Sequence, residues 1–190
     1  DRGAVESPYS AGPVNATNLT QGYGSFDLSS ALARANAGDI IEVKAGTYAG
    51  MVTVAKTNIT VRARPYMQTG DRTATVLAGG PQTASILLQN ARRVRLEGFT
   101  IRGGRTNGVA MIGASVSNVV RACIIVSNGA GLATGAGVAV IGSIARANTI
   151  VSNTITGGLT KQRRGVSISG ASGNIVVSNL ISRHPRGGIE

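Results

Sequence analysis

Gly108-Val-Ala-Met-Ile-Gly113 returns as Gly137-Val-Ala-Val-Ile-Gly142 and once more as Gly165-Val-Ser-Ile-Ser-Gly170. Repetition of this kind is the mark of a solenoid, in which each unit buries its apolar face against the next. Ile86 and Leu88 hold the same places one unit earlier, so the first inward position runs Ile86, Val109, Val138, Val166. A second strand follows each phrase, at Val94 to Leu96, Asn118 to Val120, Asn148 to Ile150 and Asn174 to Val176. A third ends in Ile101, Ile125, Ile155 and Ile181. Three short strands per unit, alternating inward and outward and separated by turn residues, make the coil of a parallel β-helix. The fold expected is all-β, a right-handed single-stranded parallel β-helix with a short N-terminal capping α-helix.

Stacked coils repeat at about 4.8 Å, which places like residues on like. Asn148 and Asn174 align at the start of the second strand, and Asn153 and Asn179 at the bend after it. Asn side chains can hydrogen-bond along such a column and tolerate the left-handed backbone of a sharp bend. Cys123 falls in the Asn153 column and reads as a buried filler rather than a reactive thiol.

The N-terminal portion departs from the repeat. Leu28, Ala31, Leu32 and Ala35 have helical spacing between Ser25, a candidate N-cap, and Gly38. Residues 25–39 are therefore expected to cap the solenoid, after an irregular arm at 1–24 and before the β-helix proper at 40–190. The strands Ile40 to Val43, Val52 to Val54 and Ile59 to Val61 begin the winding. At the other end Gly187-Gly188-Ile189-Glu190 matches the opening of a further phrase. The expectation is a fragment of a longer β-helix, or an open end covered by another subunit.

Composition agrees with an all-β interior. Apolar residues are 42% of the chain but aromatic ones only 3%, so Val, Ile, Leu, Ala and Met must fill the core. Twenty-seven glycines suit many tight turns. The single cysteine excludes an internal disulfide, and with the single His184 it cannot build a zinc site. No apolar run reaches the roughly 18 residues of a membrane span. The chain begins at Asp1 without an initiator Met, as a processed or trimmed chain would. Sequons at Asn15, Asn18 and Asn58 are candidate glycosylation sites and fit secretion.

The segment from Phe26 to Tyr48, with Asn58-Ile-Thr-Val-Arg-Ala-Arg-Pro65 and Leu96-Glu-Gly-Phe-Thr-Ile101, resembles the pectate-lyase-like superfamily, in feel the N-terminal portion of its β-helical polysaccharide lyases. The resemblance implies lyase or hydrolase chemistry built on carboxylates, Lys or Arg, and a cation, on and around the first strand. This chain departs from that pattern. Its acids are Asp1, Glu6, Asp27, Asp39, Glu42, Asp71, Glu97 and Glu190, none between Gly98 and Ile189. The outward first-strand positions hold Leu87, Ala110, Ala139 and Ser167, then Gln89, Ile112, Ile141 and Ser169. No catalytic residue, metal site or cofactor is assigned.

Positive charge is what the coils do carry, within a formal net charge of +11. Arg102, Arg105, Lys161, Arg163, Arg164, Arg183 and Arg186 lie in the turns from third strand to next first strand. They read either as a solvated rim, as a track for carboxylate, sulfate or phosphate, or as the base of a metal-free lyase with Lys161 or a nearby Arg. Nucleic acid is disfavoured, because single-strand binding adds aromatic platforms and this region has none. His184 reads as a surface turn residue. The expected function is a non-catalytic structural or binding segment, extracellular or envelope-associated, packing against protein subunits or further coils and holding acidic polysaccharide along the basic edge. The alternative is a polysaccharide lyase or epimerase whose catalytic residues lie outside this segment. Ala110, Ile112, Ala139 and Ile141 would form an outward aliphatic strip for assembly, up to a fibre.

Overall fold

The computed structural model describes residues 14–80, 84–129, 135–157 and 162–190. It is a parallel β-helix of three sheets, with about 27 residues per turn. The first sheet stacks Val52–Val54, Ala84–Gln89, Asn107–Ile112, Ala136–Ile141, Arg164–Ser169 and Gly187–Ile189. The second stacks Ile40–Val43, Thr60–Ala63, Arg95–Glu97, Val119–Arg121, Thr149–Val151 and Ile175–Val177. Gly46–Ala49, Thr75–Ala78, Thr100–Arg102, Ile124–Val126, Thr154–Thr156 and Leu180–Ser182 make the third. We call the bends leaving the first, second and third sheets the first, second and third bends.

The register follows the repeat. Ile86 pairs with Val109, Val109 with Val138 and Val138 with Val166, all fully buried. Ile101, Ile125 and Ile155 stack likewise, fully buried, and Ile181 continues the column half-buried. An aliphatic column of this kind buries each side chain on its neighbours above and below, so burial grows with every coil.

Polar columns fix the bends. Asn118, Asn148 and Asn174 form a ladder in which Asn118 Nδ2 donates to Asn148 Oδ1 at 2.9 Å and Asn148 Nδ2 to Asn174 Oδ1 at 3.0 Å. At the second bend Asn153 Nδ2 donates to Asn179 Oδ1 at 2.9 Å, and the Cys123 backbone N–H donates to Asn153 Oδ1 at 2.9 Å. Burial pushes the Cys123 thiol up to about 12, which makes it a filler in this column.

The N-terminal portion is more regular than an arm. Ala16–Asn18 and Tyr23–Ser25 form an antiparallel hairpin that extends the second sheet beyond Ile40–Val43. The helix α1 (Leu28–Arg34) is shorter than its apolar spacing suggests and is capped by Asp27 rather than Ser25. Ser30 N donates to Asp27 Oδ1 at 2.7 Å, a charged acceptor on an orphan N–H of the first turn. Leu28, Ala31 and Leu32 enter the core, while Lys56 Nζ donates to the Ala33 and Ala35 carbonyls at the other helix end. A second helix, α2 (Arg64–Thr69), begins with Pro65 in its first turn and stops at Gly70 in the left-handed region.

Candidate anion-binding bends

The third bend is tight because its interior is polar and its walls are glycine. Asn128 Nδ2 donates to the carbonyls of Ile101 and Val126 at 3.1 Å, and its Oδ1 accepts from Gly104 N at 3.0 Å and Ser85 Oγ at 3.3 Å. In the next coil Gln162 Oε1 accepts from Asn128 N and Nδ2. His184 follows, with Nδ1 3.1 Å from the Gln162 carbonyl and Nε2 3.1 Å from that of Ile155. His184 is thus half-buried and structural, not a loose turn residue. A Cβ on Gly108 or Gly137 would stand 2.7 or 2.6 Å from the Cγ2 of Ile125 or Ile155, so only glycine fits.

With its interior filled, the bend turns its cationic side chains outward. Arg102, Arg105, Arg163, Arg183 and Arg186 are all exposed there. Arg102 ends its third-sheet strand, and Arg183 follows the strand residue three coils on in the same column. Arg186 N donates to the Arg163 carbonyl at 3.0 Å, which stacks these two residues in adjacent coils. Among the described residues no carboxylate is paired with Arg102, Arg163, Arg183 or Arg186. Arg164 differs from its expected place in the turn. It opens the strand Arg164–Ser169, opposite Ala136, and pairs with Glu190. Lys161 lies outside the described residues.

Beside this bend, the outer face of the first sheet holds a groove of ≈ 400 Å³ lined in part by Asn107, Ala139, Ile141, Arg164 and Ser167. Its aliphatic strip is thinner than the register implies. Ala110 and Ala139 point outward but are only 5% and 3% exposed, because their short side chains sit below longer neighbours; Ile141 at 43% carries the apolar surface.

The six acids among the described residues are committed elsewhere. Asp27 caps α1, and Asp39 accepts from Asn18, Gln21 and Asn36. Glu42 takes Arg62 and Arg64 at 3.1 and 2.8 Å, Glu97 takes Arg121 at 3.5 Å, and Glu190 takes Arg164. Asp71 accepts from Thr73, which holds its carboxyl below the ordinary range. Among the described residues no three His, Cys, Asp or Glu side chains gather as metal ligands would. Nor, among the described residues, is any helix long and apolar enough to cross a membrane.

The three sequon asparagines differ in access. Asn58 is exposed, and Asn15 is half-buried with its amide donating to the Phe26 carbonyl. Asn18 is fully buried, donating to Asp39 and Tyr23 and accepting from Thr20 N and Gln21 N. A glycan on Asn18 is incompatible with that network.

A second basic cluster was not singled out by the repeat. Arg92, Arg93 and Arg95 are exposed at and just after the first bend, and Arg146 lies two coils beyond Arg92 in one column. Its signal was the run Ala91-Arg-Arg-Val-Arg95 itself, which precedes the region of the turn arginines. Comparison with protein-family models, curated proteins and solved structures returns no match.

Proposed function

We propose that this β-helix is a binding module that holds an acidic polysaccharide along the third bend. The observation that carries the reading is the set of outward arginines at one bend, four of them without a carboxylate partner among the described residues, on a bend whose interior is hydrogen-bonded through Asn128. A guanidinium matches carboxylate and sulfate in two-point hydrogen bonding, and cations repeated along a stacked edge suit a polymer with regularly placed charges. The likeness of the coil to pectate-lyase-like proteins supports a saccharide as the polymer, and a site outside the cell or in its envelope. The outward first-strand positions where such lyases and hydrolases place carboxylates carry none here, and the acids among the described residues have structural partners, which favours binding over cleavage.

Replacing Arg102, Arg105, Arg163, Arg183 and Arg186 together with Ser tests this directly. The substituted protein should elute from immobilised heparin or polygalacturonate at markedly lower salt, with an unchanged far-UV circular dichroism spectrum. Elution at the same salt would reduce the basic bend to a solvated rim. Subunit packing has its own observation: the edge strands expose Ile175 at 54%, Val177 at 46% and Leu180 at 64%. A further coil or a second subunit would cover them. Light scattering that finds only monomer across a wide concentration range would oppose a subunit there.

A further inference from the structure

The outer face of the second sheet has two columns of different character. In one, Glu42, Arg62, Glu97 and Arg121 follow each other coil by coil, and the acids neutralise the cations. In the other, Ile40, Thr60, Arg95, Val119 and Thr149 contain no acid. Arg95 is exposed in that column, and the adjoining first bend adds Arg92 and Arg93 on the same coil. Three cations within four residues repel one another, and among the described residues none has a carboxylate partner to relieve it.

Beside them the sheet is recessed. A cavity of ≈ 430 Å³ lies over the first bend and the start of the second sheet, with Arg93, Arg95, Asn58, Thr60 and Ser117 in its lining. Asp39 is the one carboxylate that reaches the lining. It is 3% exposed, and its Oδ2 already accepts from Asn18 Nδ2 at 2.7 Å, Gln21 Nε2 at 2.6 Å and Asn36 N at 2.8 Å. The recess therefore offers two guanidinium groups, an amide and two hydroxyls, with the buried Asp39 carboxylate at its edge offsetting one of the two positive charges.

We propose that this recess is a second anion-binding site, for a sulfate- or carboxylate-bearing sugar, separate from the third bend. The guanidinium groups take the anionic substituent by charge-assisted hydrogen bonds, and Asn58, Thr60 and Ser117 serve the sugar hydroxyls. No aromatic ring lines the cavity, which disfavours a nucleobase because stacking platforms are missing. Arg146, two coils or about 9.6 Å from Arg92, extends the positive edge for a longer chain. The class of ligand rests on the polysaccharide reading above; the site does not. A triangular solenoid with an anion site at two bends can hold two polymer strands at once.

The test exploits the columns to change charge without changing the fold. Asn58 occupies the Arg93 position one coil earlier, in the same left-handed conformation, and Thr60 the Arg95 position. The double substitution Arg93→Asn, Arg95→Thr thus places residues the backbone already accepts. Isothermal titration at low salt would compare a heparin-derived tetrasaccharide, a tetragalacturonate and an oligothymidylate of matched charge. The unsubstituted protein should take two equivalents of at least one saccharide, sulfated or carboxylated according to which is the ligand. The double variant should lose one equivalent, or bind it more than about tenfold more weakly, and keep the other. A variant with Ser at Arg102, Arg163, Arg183 and Arg186 should lose the complementary equivalent. Unchanged saccharide titration by the double variant overturns the recess; unchanged titration by the third-bend variant alone overturns the third-bend reading and leaves the recess standing. Oligothymidylate binding that outstrips both saccharides and disappears in the double variant would overturn the ligand class.

Discussion

Removing the middle rung of the longest asparagine ladder should cost more than removing an ordinary buried side chain of its size. Asn148 is fully buried and its amide makes four hydrogen bonds. Nδ2 donates to the Ser115 carbonyl and Asn174 Oδ1 at 3.0 Å, while Oδ1 accepts from Asn118 N at 3.0 Å and Asn118 Nδ2 at 2.9 Å. In Asn148→Ala most of the partners retain another bond: Asn118 Nδ2 still reaches the Ala91 carbonyl, Ser115 O still accepts from Arg146 N, and Asn174 Oδ1 still accepts from residue 148 N. The Asn118 backbone N–H keeps none. One orphaned buried donor costs about 1–3 kcal/mol and each of the three other lost bonds about 0.5–1.5 kcal/mol, a sum of roughly 2.5–7.5 kcal/mol whose lower half is expected because those three partners keep another bond. Asn148→Asp should be worse at neutral pH. Its second oxygen opposes two acceptors and carries a buried charge, which holds the carboxyl above its unfolded value. The charge penalty is then absent below about pH 4, grows as pH rises above the unfolded value, and levels off beyond the folded one. Solenoids can unfold in parts, so the denaturation midpoint should be read with hydrogen exchange at the Asn118 amide. A loss under about 0.5 kcal/mol in Asn148→Ala, with unchanged exchange at Asn118, would refute the ladder argument.

Two further substitutions or probes test the frame. Cys123, with its thiol pushed up to about 12 by burial, should resist an aromatic disulfide reagent at pH 8 in the native protein and react at once in denaturant; rapid native labelling would place it outside the core. Gly137→Ala puts a Cβ within 2.6–2.8 Å of Ile155, Gln162 and the Gly165 carbonyl, so the third bend should open and thermal unfolding should move several degrees lower. An unchanged midpoint would mean the bend has slack that the packing does not show.

How far the sequence could be read depended on whether chemistry repeats. Val109, Val138 and Val166 are alike and align, and so are Asn148 and Asn174, so register and the ladder followed from stacking alone. Asn118 already stood at the start of its second strand. The third-bend interior escaped because its rungs are Asn128, Gln162 and His184, unlike residues behind turns of unequal length. The hairpin Ala16–Asn18 and Tyr23–Ser25 escaped for another reason: its strands are three residues long, too short for periodicity, and it is held by a distant pairing with Ile40–Val43 and by Asn18 on Asp39. Arg164 looked like its turn neighbours, but it opens a strand opposite Ala136 and pairs with Glu190.

The charge of the chain is a stronger guide once its acids are placed. A formal net charge of +11 by itself says only that anions are attracted. Asp27, Asp39, Glu42, Asp71, Glu97 and Glu190 each have a partner within the fold, and four arginines, Arg62, Arg64, Arg121 and Arg164, are neutralised with them. Eight of the other cations gather at two bends. Arg92, Arg93, Arg95 and Arg146 lie along the first bend and sheet edge, and Arg102, Arg163, Arg183 and Arg186 along the third, with the aliphatic core columns between them. Because coils repeat at about 4.8 Å, any charge placed at a bend belongs to a line rather than a point. Under the proposal above, cations repeated along a stacked edge would meet the regularly spaced charges of an acidic polymer.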